Sequence, residues 1–559
     1  MLGSAYDERP WLALYDGDVP AAIEPRMGTL LELFAAARRD HPDRVAITYF
    51  DGRLSYRELD ELSDGLACHL VEQGVGPGDR VALYLQNVPQ FAIALLAGWK
   101  AGAIVVPLNP MYRSRELTKI LADARPAAVV SSEQGWHDVL GELAGPAGVR
   151  VAITTSELDL QTRHDPRLFA KLERRPAAGC ADLLAVARAH AGRRPPEVEL
   201  SSSDVALLVY TSGTSGVPKG ATNTHGNVVF NAEGMRIRVE KLGGNGIFGL
   251  APLFHITGLV CELGAALALG RQLDLVYRFE PGVVLDALAE HRPCYMVGPS
   301  TAYMALMNHP DVTADHFSSL ELVYSGGAPL PSAVVEDFRA RYGHYIRNGY
   351  GLTETTATAT SVPAHLEAPV LAKPGTLGGC RCAQSFRTGM QVGADREADT
   401  LITSLSAIAK PHGAMPPDER CTARAGRMVE SPARAGRRFR EPPGRRYGPG
   451  ISRVRAGEDV KTPCCASKTR GTSYMDTRRP REVAVVDVPD SYRGETVKAY
   501  VSLSAGASAT AEELVAHCKR QLAAYKYPRS IEILDELPKT ATGKILRREL
   551  RDTARAAAR

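Results

Sequence analysis

Apolar positions in the first part of the chain alternate between two spacings. Residues 55–74 place apolar side chains at helical intervals and end at Gly74. Residues 79–86 (DRVALYLQ) have the pattern of a short buried strand, residues 90–103 that of a helix, and residues 104–108 (IVVPL) that of another strand. This order of strand, helix and strand predicts βαβ units and a mostly parallel sheet.

Similar apolar runs continue further along the chain. Between residues 205 and 380 the candidate buried strands are VALLVY, GIFGLAPL, CYMVGP, LELVYSGG and YIRNGYG. After residue 481, EVAVVDVP and TVKAYVSL predict two strands, and residues 511–526 predict an amphipathic helix. We therefore expect an α/β protein. Residues 1–379 would form a large multi-sheet domain, and residues 482–559 a small α+β domain beyond a disrupted junction.

Residues 380–481 form that junction, and their composition differs from the rest of the chain. They contain 21 Lys+Arg against 10 Asp+Glu, a local charge of +11, whereas the whole chain carries +4. Only nine Ile, Leu or Val and two Phe occur in 102 positions. Such a segment cannot bury a core, so we expect it to be disordered.

Bulk properties restrict the remaining classes. A chain of 559 residues predicts two or more domains. It has no apolar run of about 18 residues and no signal-peptide pattern, so we expect no membrane span and a cytoplasmic location. The ten cysteines show no regular spacing, which is typical of a reduced protein. Oligomeric state and peripheral membrane contact stay open.

The first candidate site is LLVYTSGTSGVPKGATNTHGN, residues 207–227. Glycines let backbone N–H groups turn toward an anion, hydroxyls add donors, and a lysine adds positive charge. The pattern suits a polyphosphate, although it is not a Walker loop. The alternative is an ordinary surface loop. Its candidate residues are Thr211, Ser212, Gly213, Thr214, Ser215, Gly216 and Lys219.

Two further segments end candidate strands. VYSGGAPL, residues 323–330, brings a glycine pair to which a flat ring could approach closely. NGYGLTET offers Tyr350 as a stacking face, the Thr353 hydroxyl, and Glu354 as an oxygen ligand suited to magnesium. Each alone is a weak signal, because most strand–Gly–Gly turns are only turns.

Two single residues complete the set. His255 lies in PLFHITG, where the alternative is a core histidine after a strand. Lys544 follows a Thr-Gly turn in LPKTATGKILRREL, where the alternative is a solvated surface lysine.

Together these motifs resemble the adenylate-forming superfamily of acyl-CoA synthetases, luciferases and adenylation domains. The resemblance covers roughly residues 29–379 and 482–550, and YTSGTSGVPKG, GYGLTE and PKTATGK occur in the family's order. It implies an ATP-driven reaction in which a carboxylate forms an acyl-adenylate and a thiol then takes the acyl group. ATP, Mg²⁺ and coenzyme A are the implied cofactors.

The resemblance also assigns roles. It implies that Thr214 and Glu354 hold magnesium, that His255 stands near the acyl pocket, and that Lys544, on a mobile lid, offsets charge at the α-phosphate. Lys544, Glu354 and His255 are thus the implied catalytic residues. The implied ATP-binding residues are the phosphate loop from Thr211 to Gly216 with Lys219, the adenine contacts Gly327, Ala328 and Tyr350, and the α-phosphate contact Thr353.

Residues 380–481 depart from the family pattern. They lack its ribose-binding aspartate, its lid hinge and its glycine-rich turn, yet the interval of 190 residues between Glu354 and Lys544 suits the family. A segment of suitable length but foreign composition predicts two compensating frameshifts, near codons 379 and 480. A basic nucleic-acid arm or a zinc site is the weaker interpretation.

We expect ATP-dependent activation of a medium- or long-chain fatty acid and its transfer to coenzyme A, with no nucleic-acid partner. The alternatives are an aryl or carnitine-like acid, adenylation for a carrier protein, and an inactive frameshifted family member.

Overall fold

A computed structural model describes most of the chain outside its N-terminus and the junction. The described residues are Leu12, Tyr15, 19–211, 219–244, 246–328, 330–367, 384–385, 480–490, 494–503, 508–522, 527–538 and 547–557. The predictions made for residues 386–479, including their disorder and the frameshift, lie outside the described residues.

Nineteen strands and fifteen α-helical segments are described. The strands are β1 Val45–Tyr49, β2 Gly52–Ser55, β3 Arg80–Tyr84, β4 Ile104–Pro107, β5 Ala128–Ser132, β6 Val151–Thr155, β7 Ala181–Asp182, β8 Val205–Thr211, β9 Lys219–Thr224, β10 Gly246–Phe248, β11 Gln272–Leu275, β12 Tyr295–Gly298, β13 Leu322–Ser325, β14 Ile346–Leu352, β15 Ala357–Ser361, β16 Gln384–Ser385, β17 Pro480–Asp490, β18 Gly494–Leu503 and β19 Ser530–Ile533. The helices are α1 Leu30–Asp40, α2 Tyr56–Glu72, α3 Pro89–Lys100, α4 Ser114–Ala124, α5 Glu133–Gly135, α6 Gly141–Leu143, α7 Pro166–Phe169, α8 Leu183–Ala189, α9 His225–Val239, α10 Ala265–Leu269, α11 Pro281–His291, α12 Ser300–Met307, α13 Ser332–Tyr342, α14 Ala511–Gln521 and α15 Arg547–Ala557.

Three short helical turns complete the elements. Trp136–Leu140 and Gly258–Gly264 are π-helical, and Ala314–Phe317 is 3₁₀-helical.

Two large sheets carry the fold, and both are mostly parallel. The first has the order β7-β6-β5-β3-β4-β8-β9, and the second β16-β15-β14-β13-β12-β10-β11-β1-β2. In the first, β9 pairs antiparallel with β8; in the second, β15 pairs antiparallel with β14, and β2 with β1. The predicted α/β class with parallel sheets is confirmed.

Helix α3 shows why the sheets stay together. Its apolar residues surround the helix, and every position from Phe91 to Trp99 is buried, as expected for a helix covered on all sides. The Trp99 indole Nε1 donates to the Ala206 carbonyl oxygen at 2.9 Å, which ties α3 to β8. One continuous apolar core includes residues of both sheets.

Helix starts are encoded locally. Thr29, Ser55 and Thr224 each cap a helix with the side-chain oxygen, and the residue three positions later bonds back to the cap. Helix α2 ends just before Gly74, whose φ of 77° suits glycine, as the pattern predicted.

A third sheet is formed by β17, β18 and β19. Helix α14 packs its Leu514 and Cys518 into a small apolar core with Val483 and Val501. The helix predicted over residues 511–526 ends at Gln521, because Leu522 takes extended backbone angles.

The predicted end of β10 was also wrong. The strand predicted over GIFGLAPL is only three residues long, and the remaining residues form a loop described below. Among the described residues, no helix is long and apolar enough to cross a membrane.

Candidate functional site

The β8–β9 hairpin carries the first candidate segment. Thr211 pairs with Lys219 at its tip, and the Thr211 hydroxyl donates to the Lys219 carbonyl oxygen at 3.4 Å. The Lys219 side chain is exposed. The predicted phosphate-loop residues Ser212, Gly213, Thr214, Ser215 and Gly216 lie outside the described residues.

The second segment follows β13, next to β14. Ser325 pairs with Asn348 in parallel register, so the residues after β13 lie beside Gly349 and Tyr350. Gly327 has a φ of 76°, which favours glycine, and is exposed. A methyl group at Gly326 would come within 3.3 Å of the Gly349 carbonyl oxygen. The predicted adenine contacts Gly327, Ala328 and Tyr350 therefore belong to two neighbouring strand ends.

The β14–β15 turn carries Thr353, which is half-buried, and Glu354, which is exposed. The Thr355 hydroxyl accepts from the Leu352 amide at 2.8 Å. Thr356 and Ala357 then take φ values of 55° and 84°, which are strained for residues other than glycine.

A register shift between Tyr350 and Gly351 accompanies this strain. A methyl group at Gly351 would overlap the Ala357 carbonyl oxygen, so only glycine fits there.

Buried Asn223 on β9 joins the two hairpins. Its Nδ2 donates to the Thr353 carbonyl oxygen at 2.9 Å and to the Thr356 hydroxyl at 2.8 Å. Asn231 on α9 adds a bond from its Nδ2 to the Thr355 carbonyl oxygen at 3.2 Å. Residues about 130 positions apart are thus fixed to one another, and the strand that follows the first segment's loop contacts the turn of the third segment.

His255 stands on a separate loop after β10. The Asn87 side chain holds this loop, because its Nδ2 donates to the Gly249 and Ala251 carbonyl oxygens and its Oδ1 accepts from the Leu253 amide. On the other side, Glu262 accepts from the Ala251 amide at 3.0 Å.

The His255 side chain is exposed to solvent, although protein surrounds the base of its loop. Desolvation there lowers the pKa of the imidazole below its ordinary value, so the ring is neutral at pH 7. The Thr257 amide donates to Nδ1 at 3.3 Å, which places the proton of the neutral ring on Nε2.

The structure joins β9, the strand that begins at Lys219, to the turn of Thr353 and Glu354 through Asn223. It places Gly327 and Ala328, which follow β13, beside β14, the strand that contains Tyr350. The loop of His255 reaches the same region indirectly, because Cys261, in the π-helical turn that follows it, contacts the Thr358 hydroxyl at 3.4 Å on β15. Lys544 lies outside the described residues.

The sequence interpretation missed four residues that hold these segments: Asn87, Asn223, Asn231 and Glu262. Asn223 lies within the quoted motif and is the buried member of an otherwise more accessible strand. The other three carry no local signal, because their importance depends on distant contacts.

A magnesium ion at this site would need oxygen ligands from the protein. In the described part of the chain, no three His, Cys, Asp or Glu side chains cluster as metal ligands. Glu354 offers an exposed carboxylate, a hard oxygen ligand that suits Mg²⁺, next to the fixed Thr353. The donor set therefore fits an ion that takes one carboxylate from the protein and further oxygens from phosphates.

Comparison with known proteins agrees with this arrangement. The family model for AMP-binding enzymes matches residues 34–385, and that for the AMP-binding enzyme C-terminal domain matches residues 476–544.

Two relatives and one solved structure illustrate the similarity. A long-chain-fatty-acid–CoA ligase from Bacillus subtilis (strain 168) is 30% identical over 576 residues, with 97% of this chain and 98% of the relative covered. A feruloyl-CoA synthase from Amycolatopsis sp is 29% identical, with 92% and 96% covered. The structure of an amide bond synthetase from Marinactinospora thermotolerans has a TM-score of 0.67 at 20% identity, covering 94% of this chain and 99% of that one.

Proposed function

Because the chain belongs to the AMP-binding enzyme family and is an acyl-CoA synthetase, a ligase that uses ATP and coenzyme A, we propose that its acid is a medium- or long-chain fatty acid. The relatives named long-chain-fatty-acid–CoA ligases support this choice, since they are similar over nearly the whole chain. We also propose a cytoplasmic location.

The proposed position of ATP rests on one observation, the two hydrogen bonds by which Asn223 joins the two hairpins. These bonds put the carbonyl of Thr353 and the exposed Glu354 next to the strand whose tip carries Lys219. A polyphosphate held at that tip would have its α-phosphate near Thr353. The adenine would lie against Gly327, Ala328 and Tyr350.

In the proposed first step, a carboxylate oxygen of the acid attacks the α-phosphorus of ATP, and the bond to pyrophosphate breaks. Thr211 and Lys219, with Ser212, Gly213, Thr214, Ser215 and Gly216, bind the β- and γ-phosphates. Lys544 offsets the charge that develops between the carboxylate and the α-phosphate. Glu354 and Thr214 would hold Mg²⁺, which would supply positive charge beside the phosphates.

In the second step, the thiol sulfur of coenzyme A attacks the acyl carbonyl carbon, the bond from that carbon to the phosphate oxygen breaks, AMP leaves, and the thiol proton passes to solvent. His255 lines the recess for the acid. As a neutral ring with its proton on Nε2, it offers a hydrogen-bond donor toward the recess and no positive charge.

The test measures ATP–pyrophosphate exchange and acyl-CoA formation with palmitate, octanoate, benzoate and ferulate. We expect palmitate or octanoate to give the highest kcat/KM, and Lys544→Ala to reduce exchange by at least about 100-fold. An exchange that only benzoate or ferulate supports would contradict the fatty-acid proposal.

An aryl acid is the second candidate, because a feruloyl-CoA synthase is almost as similar as the fatty-acid ligases. Replacing coenzyme A by an acyl carrier protein in the second step tests the alternative acceptor. A product formed only on the carrier protein would favour a stand-alone adenylation role.

The division at residues 379 and 482 and the frameshifted junction stay predictions. Residues 386–475 lie between the stretches that the two family models match. Resequencing the gene tests the frame. An inactive product would show no exchange with any of the four acids, whereas robust turnover by the chain as written would exclude that alternative.

A further inference from the structure

Glu262 is a fully buried acid that has no role in the proposed reaction. It lies in the π-helical turn Gly258–Gly264, and its side chain has no solvent exposure. π-Helical turns often occur at functional sites. Oε1 accepts from the Ala251 amide at 3.0 Å, and the neighbouring Leu250 backbone also interacts favourably with the carboxyl group. Oε2 has no hydrogen bond of good geometry among the described residues.

A carboxylate with one bare oxygen is strongly unfavourable in an apolar core. Burial raises the pKa of Glu262 well above its ordinary value, which favours the neutral form of the acid. Cys261, Tyr295 and Tyr303 lie close enough to interact with it electrostatically. Burial raises the pKa of each of these groups as well, so all three are neutral too.

The Ala251 amide belongs to the loop that leads to His255. Asn87 holds that loop on one side, as described, and Glu262 holds it on the other. A methyl group at Gly258 would overlap the Pro252 carbonyl oxygen, so the loop and the π-helical turn are in direct contact. The loop therefore has little freedom unless one of these contacts is lost.

The same turn touches the other half of the site. Cys261, next to Glu262 in the chain, contacts Thr358 on β15, the strand that follows Glu354. Glu262 is thus placed where the loop of His255 and the β14–β15 hairpin are fixed to a common element.

We propose that Glu262 is a positioning residue for the acid substrate: by holding the Ala251 amide, it keeps His255 facing the recess. This inference rests on the role proposed for His255. Loss of the contact should weaken acid binding and leave ATP binding unchanged.

The experiment compares Glu262→Met, Glu262→Asp and Glu262→Gln. Met removes the acceptor, Asp withdraws it by one carbon, and Gln keeps a neutral acceptor of the same length. We expect Met and Asp to raise KM for the acid about tenfold with KM for ATP within about twofold, and Gln to stay within about twofold for both. Asp serves if the Met variant does not fold.

Asp274 provides the matched control. It is equally buried, accepts from Thr48 and Gln272, and also has an oxygen without a partner among the described residues, but its side chain does not bond the His255 loop. Asp274→Asn and Asp274→Leu should lower stability without a selective change in KM for the acid.

Hydrogen exchange of residues 251–255 gives a readout that does not depend on activity, and it leaves out Gly249, whose amide donates to the Asp274 carbonyl oxygen. Exchange should rise in the Glu262→Met and Glu262→Asp variants and stay unchanged in the Asp274 variants. Three outcomes would overturn the proposal. They are equal changes in KM for the acid and for ATP, unchanged hydrogen exchange in the Glu262→Met and Glu262→Asp variants, and a Glu262→Gln variant as impaired as Glu262→Met. If wild type activates none of the acids, the proposed function fails, while the exchange result still decides whether Glu262 holds the loop.

Discussion

The β8–β9 and β14–β15 hairpins occupy the same kind of position in two different sheets. In each, the first strand pairs parallel with the sheet and antiparallel with the strand that follows it. The β8–β9 hairpin is regular near its tip, where Tyr210 faces Gly220 and Thr211 faces Lys219. The β14–β15 hairpin has a register shift and two residues with a positive φ, Thr356 in the connection and Ala357 at the start of β15.

The difference shows two ways of making a site from the same element. The first hairpin carries its chemistry in the composition of a glycine- and hydroxyl-rich loop. The second carries it in a backbone that is held in an unfavourable shape, so that Thr353 and Glu354 stand in fixed positions. We expect the second hairpin to tolerate substitution less well than the first.

The largest expected effect is that of Gly351→Ala. The new methyl group would overlap the Ala357 carbonyl oxygen, so β14 and β15 would have to separate, which should cost at least about 3 kcal/mol of unfolding free energy. Chemical denaturation measures this. Gly349→Ala is the control, because its methyl group would meet only ordinary contacts at 3.8 and 4.0 Å, and it should change stability by less than about 1 kcal/mol. Similar losses for both variants would refute the strained-turn interpretation.

Asn223→Ala should have the next largest effect. It removes two hydrogen bonds and frees the two hairpins from each other, at a cost of about 2–3 kcal/mol, and should slow pyrophosphate exchange on the order of tenfold. Thr222→Ala, at the exposed neighbouring position of β9, is the control and should leave both quantities unchanged. If Asn223→Ala leaves the rate of pyrophosphate exchange unchanged, the hydrogen bonds of Asn223 do not position the site.

Lowering the pH should weaken the fold through His225, where β9 passes into α9. His225 follows β9, packs edge-on against Trp99 at 5.5 Å, and is buried, which lowers the pKa of its ring from 6.5 to about 4. The unfolded chain therefore binds a proton that the folded chain rejects as the pH falls below 6.5, and stability decreases until about pH 4. Between pH 7.5 and pH 5 the loss should be about 2 kcal/mol.

The difference in unfolding free energy between wild type and His225→Gln measures this loss free of other titrating groups. The unfolding free energy of wild type minus that of the variant should fall by about 2 kcal/mol between pH 7.5 and pH 5. A difference that does not depend on pH would show that His225 is not the titrating support. The second hairpin relies on Thr355 and Asn223, which do not titrate in this range.

The smallest effect is expected for Thr356→Asn. Asparagine tolerates a positive φ better than a β-branched residue and keeps a side-chain oxygen for Asn223, so stability should rise by up to about 1 kcal/mol. Arg125→Asn relieves a φ of 44° at the end of α4, away from the site, and is the control for the size of the gain. If Thr356→Asn lowers stability while Arg125→Asn raises it, the shape of the threonine side chain stabilises the turn.

Much of the scaffold could be predicted from the sequence, because strands such as VALLVY and YIRNGYG and the helix start at Ser55 are encoded by neighbouring residues. The short β10 and the loop after it could not be predicted, because hydrogen bonds from two other segments determine the path of the loop. These bonds come from Asn87, far away in the chain, and from Glu262, which follows the loop. The strain at Thr356 and the bonds of Asn223 depend on the approach of two sheets. No local pattern reports such an approach.

The two hydrogen bonds from Asn223 to Thr353 and Thr356 also have a thermodynamic consequence. If the two hairpins move together, a ligand that binds one hairpin changes the affinity of the other hairpin for its own ligand. By thermodynamic linkage, the second ligand changes the affinity for the first by the same factor. Phosphates at the tip beyond Thr211 and an adenine beside Tyr350 would then reinforce each other as two binding events. A molecule that carries both groups would gain from their coupling, and a fragment with only one would not.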